Sequence, residues 1–451
     1  MLHKFFKCTL ALSLFFVTTL FAQQKPNIVF ILADDYGFGE VGCNGADNYK
    51  TPNIDLLAKN GVRFTHNYTA ALCGPSRALI LTGRYAFRTG ATNQDATGKF
   101  TPEKETMIAK VLKQGGYVSA SIGKWGQLPL MPSDFGFDHY LTFKGSGIYW
   151  NTQEKGKEYF MDGKSIPLKD GEYLPDLMHN EAVKFLSENK NKPFFLYYPM
   201  SHVHGEILPT PDSKPDSKDI YYDNVAYMDK LVGKLMNVLD SLKLTKNTLV
   251  FFMGDNGTAN GHTERATIGG RRIVGGKGSM FEGGGLVPLI TSWKGVTPKG
   301  KVCENMVDAS DIFPTLTDVA GIKYSGNQID GQSILPYIKG KEGEHRSWAY
   351  NQLAANWYVR EKNWKLNQAG ELFDMSKAPF EEIAIPADTK NPEAIAAKAR
   401  LQKVLDNLNP AGGILDDGDG TGRHANKAVK VKKDKKDKKG KQGTNDDGND
   451  K

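Results

Sequence analysis

The chain has 451 residues, of which 39% are hydrophobic and 24% charged, with 48 glycines and 21 prolines. That length accommodates one large domain with a smaller one, or two to three ordinary domains. Neither the glycine period of collagen nor the heptads of a coiled coil is present, so the composition is that of a globular protein.

The net charge of +7 comes mostly from the two ends of the sequence. Residues 1–22 carry two lysines and no acidic residue, and residues 410–451 carry 11 basic and 8 acidic side chains. The remaining 387 residues carry 45 basic and 43 acidic side chains. A nucleic-acid-binding protein needs a stronger and more clustered basic excess. We therefore predict that the protein has no nucleic-acid partner.

Residues 1–22 have the pattern of a secretory signal peptide. Lys4 and Lys7 form a charged start, residues 10–21 form a mostly apolar run, and Ala22 is a small residue at the cleavage point. The apolar run is shorter than the ~20 residues that span a bilayer. We therefore predict an exported protein, periplasmic or secreted, with no transmembrane segment after signal removal.

The mature chain contains three cysteines, Cys43, Cys73 and Cys303. Three cysteines do not make the disulfide framework that is typical of small exported domains. The sequence leaves open whether Cys43 and Cys303 pair. Because three cysteines can form at most one disulfide, at least one of them must have a role other than disulfide pairing.

Short apolar runs alternate with amphipathic helical patterns from residue 27 onward, which is typical of an α/β layered fold. A continuous apolar strand such as NIVFILA is expected where both faces of a parallel sheet are covered. The predicted strands span residues 27–33, 194–198 and 249–253, and predicted helices begin near Thr51 and Thr106 and follow the spaced apolar residues of 228–242.

The composition divides the chain into four parts: a signal peptide (1–22), a large α/β catalytic domain (23–345), a small C-terminal subdomain (346–409) and a disordered tail (410–451). Aromatic residues among polar ones predict a small antiparallel sheet in the subdomain, followed by an alanine-rich helix. The tail is rich in lysine, aspartate and glycine and cannot bury enough apolar surface to fold. Its role is left open between a solvated chain and a tether to an acidic surface.

Polar side chains follow the three predicted strands at the points where these strands end. In open α/β sheets ligands gather at the carboxyl ends of the strands, so we expect these side chains to converge. The oxygen donors among them suit Ca²⁺ or Mg²⁺ and suit zinc poorly. They are Asp34 and Asp35 after the first strand, His202 and His204 after the second, and Asp255 and Asn256 after the third.

The most informative segment is LCGPSRALILTGR, residues 72–84. Pro75 is suited to opening a helix, which leaves Cys73 near the positive end of that helix. Arg77 lies one turn further on, where it can pair with an anion near Cys73. A lone cysteine is by default an inert buried side chain, and these neighbours argue against that interpretation here.

The pattern C-x-P-S-R followed by L-T-G-R resembles the signature of type I sulfatases, in which the cysteine is oxidised to formylglycine. The resemblance covers about residues 26–375 and includes NIVFILADD, GGYVSASIGKW, TLVFFMGDNG, GGKGSMFEGG, VREKNWKL and ELFD. It implies an alkaline-phosphatase-like α/β sandwich with a large, mixed, mostly parallel central sheet and a small C-terminal antiparallel-sheet subdomain.

The resemblance also implies a role for each site residue. Cys73, as formylglycine, is the nucleophile, and Arg77 holds its hydrate. The sulfate oxygens are bound by Lys124 and Lys277, and the substrate histidine is His204, with His202 as the alternate. The implied metal is Ca²⁺ in preference to Mg²⁺, and its ligands are Asp34, Asp35, Cys73, Asp255 and Asn256.

The sequence departs from the family pattern at three points. Gly126 replaces the usual histidine two residues after Lys124, Leu286 replaces the arginine of EGGxR, and Glu206 replaces the proline of His-x-Pro. The missing histidine leaves the base of the elimination step unidentified. His202 is the nearest candidate, because it lies on the same face as His204 if that segment is extended. We expect the Leu286 change to be structural.

The sequence thus predicts a calcium-dependent sulfatase that acts on a sulfated poly- or oligosaccharide. Its implied partner in maturation is a formylglycine-generating or sulfatase-maturating enzyme. Two other functions stay open: a phosphatase or phosphonate hydrolase of the same fold, and a non-catalytic binder of sulfated glycans, which Gly126 and the basic tail would suit. The sugar, the sulfate position, endo or exo action and the oligomeric state are not specified by the sequence.

Overall fold

The computed structural model describes residues 25–94, 100–126, 128–153, 157–343 and 345–423. The predicted signal peptide and the lysine-rich part of the predicted tail lie outside these ranges. Within them, no helix combines the length and the apolar character needed to cross a bilayer.

The strands of the described residues are β1 (Asn27–Ala33), β2 (Val62–Tyr68), β3 (Val118–Ile122), β4 (His139–Thr142), β5 (Glu158–Met161), β6 (Lys164–Pro167), β7 (Phe194–Pro199), β8 (Thr248–Gly254), β9 (Thr267–Ile268), β10 (Arg271–Arg272), β11 (Leu289–Ser292), β12 (Lys301–Asp308), β13 (Trp348–Leu353), β14 (Asn356–Glu361), β15 (Trp364–Asn367), β16 (Leu372–Asp374) and β17 (Ile383–Ala384). The α-helices are α1 (Pro52–Lys59), α2 (Cys73–Thr82), α3 (Ala86–Thr89), α4 (Ile108–Gln114), α5 (Leu174–Glu188), α6 (Ile220–Ser241), α7 (Glu282–Gly285), α8 (Ile312–Val319), α9 (Leu335–Ile338) and α10 (Pro392–Leu408).

Ten strands form one central sheet, in the order β12-β2-β11-β8-β1-β7-β3-β4-β5-β6. Strand β1 is parallel to both of its neighbours, β7 and β8, and β3 is parallel to β7 and β4. Strand β11 runs antiparallel between β2 and β8, and β5 runs antiparallel between β4 and β6. The sheet is therefore mixed and mostly parallel, which confirms the predicted α/β fold.

Strand β1 separates two hydrophobic cores, because neighbouring side chains of a strand point to opposite faces of the sheet. Ile28, Phe30 and Leu32 pack in the core that contains α2, α4 and α8. Val29 and Ile31 pack in the core that contains α1, α5 and α6. Helices thus cover both faces of the strand, which explains why the residues of β1 after Asn27 are all apolar.

A second, five-stranded antiparallel sheet, β13-β14-β15-β16-β17, lies near the C-terminus, as predicted. Helix α10 contributes Leu401 and Leu405 to the same core as Leu366 of β15. The predicted alanine-rich helix and α10 have the same bounds, residues 392–408.

A buried ion pair links this small sheet to helix α7 in the larger α/β part of the chain. Arg360 of β14 donates to the carboxylate of Glu282 (Nη2–Oε1, 2.8 Å), and both side chains are buried. The Tyr68 hydroxyl donates to the same carboxylate at 2.6 Å. Leu286, where the family pattern has arginine, packs in a small apolar cluster with Phe38. The Leu286 change therefore leaves Glu282 with a cationic partner.

The three cysteines of the described residues, Cys43, Cys73 and Cys303, are all free thiols. Cys43 lies in a short 3₁₀ turn before α1, and Cys303 lies on β12. The pairing that the sequence left open is therefore not formed in this structure.

Residues 410–423, here called the return segment, are described by the structure although the sequence predicted disorder from residue 410. The structure differs from the prediction because polar contacts, many of them to the backbone, hold this segment, and these leave no signal in composition. The segment runs along the loop of residues 87–94. The contacts are Ile414 N to Phe87 O (2.7 Å), Thr92 Oγ1 to Asp416 Oδ1 (3.0 Å) and Gln94 N to Gly422 O (2.8 Å).

Candidate active site

The pairing of β1 with β8 brings three carboxylates together at the carboxyl end of the central sheet. Ala33, the last residue of β1, lies opposite Gly254, the last residue of β8. The chain continues into Asp34 and Asp35 on one side and into Asp255 on the other. The backbone N–H of Asp35 donates to Asp255 Oδ1 at 3.0 Å. The three carboxylates are buried, so strand register fixes their proximity.

Cys73 is the first residue of α2 and points at these carboxylates. Its Sγ lies 3.4 Å from Asp34 Oδ1 and 3.6 Å from Asp35 Oδ1. Ligand atoms of Asp34, Asp35, Cys73 and Asp255 all lie within 4.8 Å of one another. Burial, and after it the charge of Asp255, raise the pKa of the Cys73 thiol well above its usual range. The thiol is therefore neutral and a poor nucleophile at physiological pH.

Three cationic side chains neutralise the three carboxylates. One comes from the second turn of α2, one from the loop after β3 and one from the loop after β10. A buried charge without a partner costs several kcal/mol, so this pairing is a condition for burying the group. The pairs are Arg77 with Asp255 (Nη2–Oδ2, 2.7 Å), Lys124 with Asp34 (Nζ–Oδ2, 2.6 Å) and Lys277 with Asp35 (Nζ–Oδ1, 2.6 Å).

Burial and ion pairing act in opposite directions on the carboxylates. Burial raises the pKa of Asp34, but the charges of Lys124, His204 and Arg77 together outweigh it, so the net pKa lies below its usual value. Burial likewise raises the pKa of Asp35, and Lys277 contributes most to the net lowering. For Asp255, burial and the charge of Asp34 raise the pKa. Asp34 and Asp35 are therefore ionised at neutral pH and offer negative oxygen donors to a cation.

Asn256 tests whether these residues fit a metal ion. Its Oδ1 is buried and has no hydrogen-bond donor within the described part of the chain. Its Nδ2 donates to Asp35 Oδ1 at 3.0 Å, so the amide lies against the carboxylate group. A bound cation would satisfy the unpartnered oxygen. The donor set, three carboxylates, one amide oxygen and residue 73, fits a hard divalent cation such as Ca²⁺.

His204 lies at the rim of this group. Its Nε2 is 3.8 Å from Asp35 Oδ2, and its side chain is 22% exposed. Burial, and after it the charge of Lys124, lower the pKa of the imidazole. The possible ligand atoms of His204, Asp35 and Cys73 lie within 4.8 Å of one another, which is close enough to hold one metal ion. The structure therefore brings His204 to the site, where a substrate can reach it.

His202 lies instead in an aromatic pocket formed by Tyr149, Tyr173 and Tyr227. Its Nε2 is 2.9 Å from the Tyr173 hydroxyl, and burial lowers its pKa to about 3. The two histidines were expected to share one face only if the segment is extended, and it is not: the chain turns, and the N–H of His204 donates to Ser201 O at 3.1 Å. A group with so low a pKa is a weak base. The role of His202 as a base stays a prediction.

Gly126, which replaces the usual histidine, lies over Arg77. Its φ is +85°, and a Cβ at this position would lie 3.1 Å from Arg77 Cδ and 3.7 Å from Arg77 Nε. Arg77 also donates from Nη1 to Lys124 O at 2.6 Å. A side chain at position 126 would therefore press on the arginine that holds Asp255.

Two residues near the site were not identified from the sequence. The ring of His262 is half-buried and stacks on Tyr221, with 3.7 Å between the ring centroids. Burial lowers the pKa of His262, and the charge of Asp35 is one of the smaller effects that raise it. Its place in the loop after Asp255-Asn256 could have indicated it. The other is Gln94, whose Oε1 accepts from Gly74 N at 2.5 Å beside Cys73, and no sequence pattern indicated it.

A family model described as Sulfatase matches residues 26–322. The chain is a member of the sulfatase family. A second model, described as N-sulphoglucosamine sulphohydrolase, C-terminal, matches residues 276–411 of this sulfatase. The resemblance predicted from the Cys73 motif is thus confirmed.

Relatives that are named as sulfatases support the same assignment. The sulfatase is 33% identical to the N-acetylgalactosamine-6-sulfatase of Canis lupus familiaris over 349 residues, 71% of this chain and 67% of that protein. It is 31% identical to the arylsulfatase D of Homo sapiens over 412 residues, 70% and 69% of the two chains. The solved structure of Ps i-CgsB in complex with k-i-k-neocarrahexaose has 28% identity and a TM-score of 0.76, covering 93% of this chain and 100% of that chain. The sulfatase is therefore a sulfuric ester hydrolase of alkaline-phosphatase-like fold.

The contact between position 126 and Arg77 generates a prediction. Gly126→Ala should lower kcat for an aryl sulfate at least ~10-fold, because the new Cβ displaces a buried arginine whose ion pair is costly to disturb. Gly163→Ala is the matched control, since Gly163 has φ +83° and nothing within 4 Å of its Cβ position. Both variants should lose about 1–2 kcal/mol of unfolding free energy to backbone strain, measured by urea unfolding. Equal kcat values for the two variants would contradict the prediction.

Proposed function

We propose that this sulfatase hydrolyses sulfate monoesters on a poly- or oligosaccharide, using a bound Ca²⁺ and a formylglycine made from Cys73. The observation that carries the proposal is the convergence of Cys73 with three buried carboxylates and three buried cations. A saccharide substrate is supported by two relatives, an N-acetylgalactosamine-6-sulfatase and a structure that holds a neocarrahexaose.

The state of Cys73 supports the modification. Its thiol is buried beside negative charge and stays neutral, so it is not an activated nucleophile. A sulfated thiol would also be a stable thiosulfate ester, which stops turnover. A formylglycine hydrate supplies two hydroxyl groups on one carbon, one to attack sulfur and one to expel sulfate. In this proposal Arg77, one turn along α2, holds that hydrate.

The cations of the site match the charge of the substrate. Lys124 and Lys277 bind sulfate oxygens in this proposal, and Arg77 anchors Asp255 behind them. Bound Ca²⁺ would stabilise the negative charge that builds on the sulfate oxygens. His204, partly exposed at the rim, or Lys277 donates a proton to the sugar oxygen as the S–O bond breaks.

The residues of this site argue against the two other functions that the sequence leaves open. A phosphatase or phosphonate hydrolase of the same fold usually has more histidine ligands and often two metals. Here the group of possible ligands within the described residues is three aspartates and Cys73, with His204 beside Asp35. A non-catalytic glycan binder has no need of Cys73 or of the full set of buried cations, and all of these residues are present.

Maturation and export complete the proposal. Oxidation of Cys73 requires a separate formylglycine-generating or sulfatase-maturating enzyme. We also propose that the protein is exported, to the periplasm or outside the cell, because residues 1–22 have the pattern of a signal peptide.

The proposed function predicts that active protein carries formylglycine at position 73. Mass spectrometry of the peptide containing this residue should show the aldehyde, and Cys73→Ala should remove essentially all turnover, because it removes the proposed nucleophile. Cys303→Ala is the matched control and should keep activity. Wild-type protein should hydrolyse 4-nitrophenyl sulfate faster than 4-nitrophenyl phosphate. Full activity with only the thiol at position 73, or a preference for the phosphate, would refute the proposal.

The proposed metal site predicts one bound Ca²⁺ per chain, with oxygen ligands at roughly 2.3–2.6 Å. Asp255→Asn should abolish both activity and the rise in Tm on adding Ca²⁺, because it removes a charged ligand. Asp229→Asn is the matched control: this buried carboxylate binds the backbone of Asn53 and Ile54 and lies outside the ligand group. It should keep the Ca²⁺-dependent Tm shift. Activity that survives exhaustive chelation would count against the site.

The two histidines predict different kinetic defects. His204→Ala should slow sulfur transfer itself by about 10²–10⁴-fold through loss of leaving-group protonation. His202→Ala should slow the later release of sulfate, so that rapid-quench intact mass shows protein with one added sulfate group. Tyr173→Phe, which removes only the hydroxyl that contacts His202 Nε2, is the control for packing. If His202→Ala is kinetically silent and no sulfated protein accumulates, His202 is structural and the base lies elsewhere.

A further inference from the structure

The return segment ends with Arg423 beside two loops of the active site. The Nη2 of Arg423 lies 3.1 Å, and its Nε 3.8 Å, from the position that a Cβ on Gly278 would occupy. Leu72 Cδ2 lies 3.7 Å from the same point. Gly278 directly follows Lys277, and Leu72 directly precedes Cys73. The guanidinium therefore lies where the loop carrying Lys277 meets the loop carrying Cys73.

This junction is held by backbone contacts and by close packing. Gly278 N donates to Ala71 O at 2.8 Å, which joins the two loops. Gly422 is buried, and a Cβ there would lie 3.2 Å from Leu72 Cδ1 and 2.4 Å from Leu353 Cδ1. The residue before Arg423 thus packs too closely for a side chain, so the backbone that carries the arginine is held in place by the fold.

The positive charge of Arg423 is not neutralised by a carboxylate in the described part of the chain. Its side chain is exposed and forms no ion pair with a described residue. Carboxylates of the same segment are already engaged: Asp416 accepts hydrogen bonds from residues 92–93, and Asp419 accepts from Thr421. An arginine held in place without a carboxylate partner is suited to bidentate binding of a sulfate or carboxylate group.

We propose that Arg423 determines specificity by binding a second anionic group of the saccharide, a sulfate or carboxylate near the ester that is hydrolysed. This inference rests on the proposed function and adds a property to it. The cations Arg77, Lys124 and Lys277 are matched by buried carboxylates, whereas Arg423 adds a positive charge outside that balanced group. The enzyme should therefore prefer a multiply charged saccharide over one with a single sulfate.

The test uses the full chain and two sugars that differ in one sulfate, N-acetylgalactosamine 6-sulfate and N-acetylgalactosamine 4,6-disulfate. Each is measured as a competitive inhibitor of 4-nitrophenyl sulfate hydrolysis and, by calorimetry, as a ligand of Cys73→Ala protein. The wild type should bind the disulfate more tightly. Arg423→Ala should weaken binding of the disulfate about 10- to 100-fold, the loss expected for a charge-assisted contact. Its binding of the monosulfate and its KM for 4-nitrophenyl sulfate should not change.

Two further variants separate charge from structure. Arg423→Lys should restore part of the preference, because it keeps the charge and loses the bidentate geometry. Arg400→Ala removes an exposed arginine of α10 that pairs with Glu361 at 2.6 Å, and should leave the preference intact. Equal binding of the two sugars by the wild type, or an unchanged preference in Arg423→Ala, overturns the inference. A wild type that neither hydrolyses aryl sulfate nor binds either sugar overturns the proposed function instead.

Discussion

Three carboxylates buried side by side can exist at the end of a parallel sheet only if something neutralises them. Each ionised carboxylate costs several kcal/mol to remove from water, even after the surroundings relax. Arg77 on helix α2 and Lys124 and Lys277 on two separate loops meet this requirement. Electroneutrality of the site therefore depends on the correct placement of α2, β3 and the loop after β10. In the proposed function the same cations face the sulfate, so one set of charges serves both folding and chemistry.

Much of the fold could be predicted because apolar spacing is a local property of the sequence. Strand β1 and helix α10 match their predicted bounds for this reason. Helix α6 begins at Ile220, eight residues before the predicted apolar stripe, because the side chain of Asp219 caps its first turn, a contact that apolar spacing does not register. Helix α2 buries all of its residues and so has no polar face that periodicity could detect.

The members of the site could be predicted from the sequence, but several of their contacts could not. Arg77 was expected to meet an anion near Cys73, and its closest carboxylate partner is Asp255, 178 positions away in the chain. His202 and His204 were treated as neighbours on one face, and a turn between them sends one to a tyrosine pocket. Such contacts depend on which distant elements pack together, and residue spacing does not encode that.

The burial of Cys73 also constrains when this protein can mature. Its side chain is fully enclosed, and the return segment at the far end of the chain packs beside it. A modifying enzyme has to bring its own active site to the thiol, and a buried residue at the start of a packed helix leaves no room for that in the folded protein. If Cys73 is oxidised, the oxidation has to precede closure of this region. The return segment is synthesised after almost all of the rest, so the order of translation itself leaves an interval in which residue 73 is still accessible.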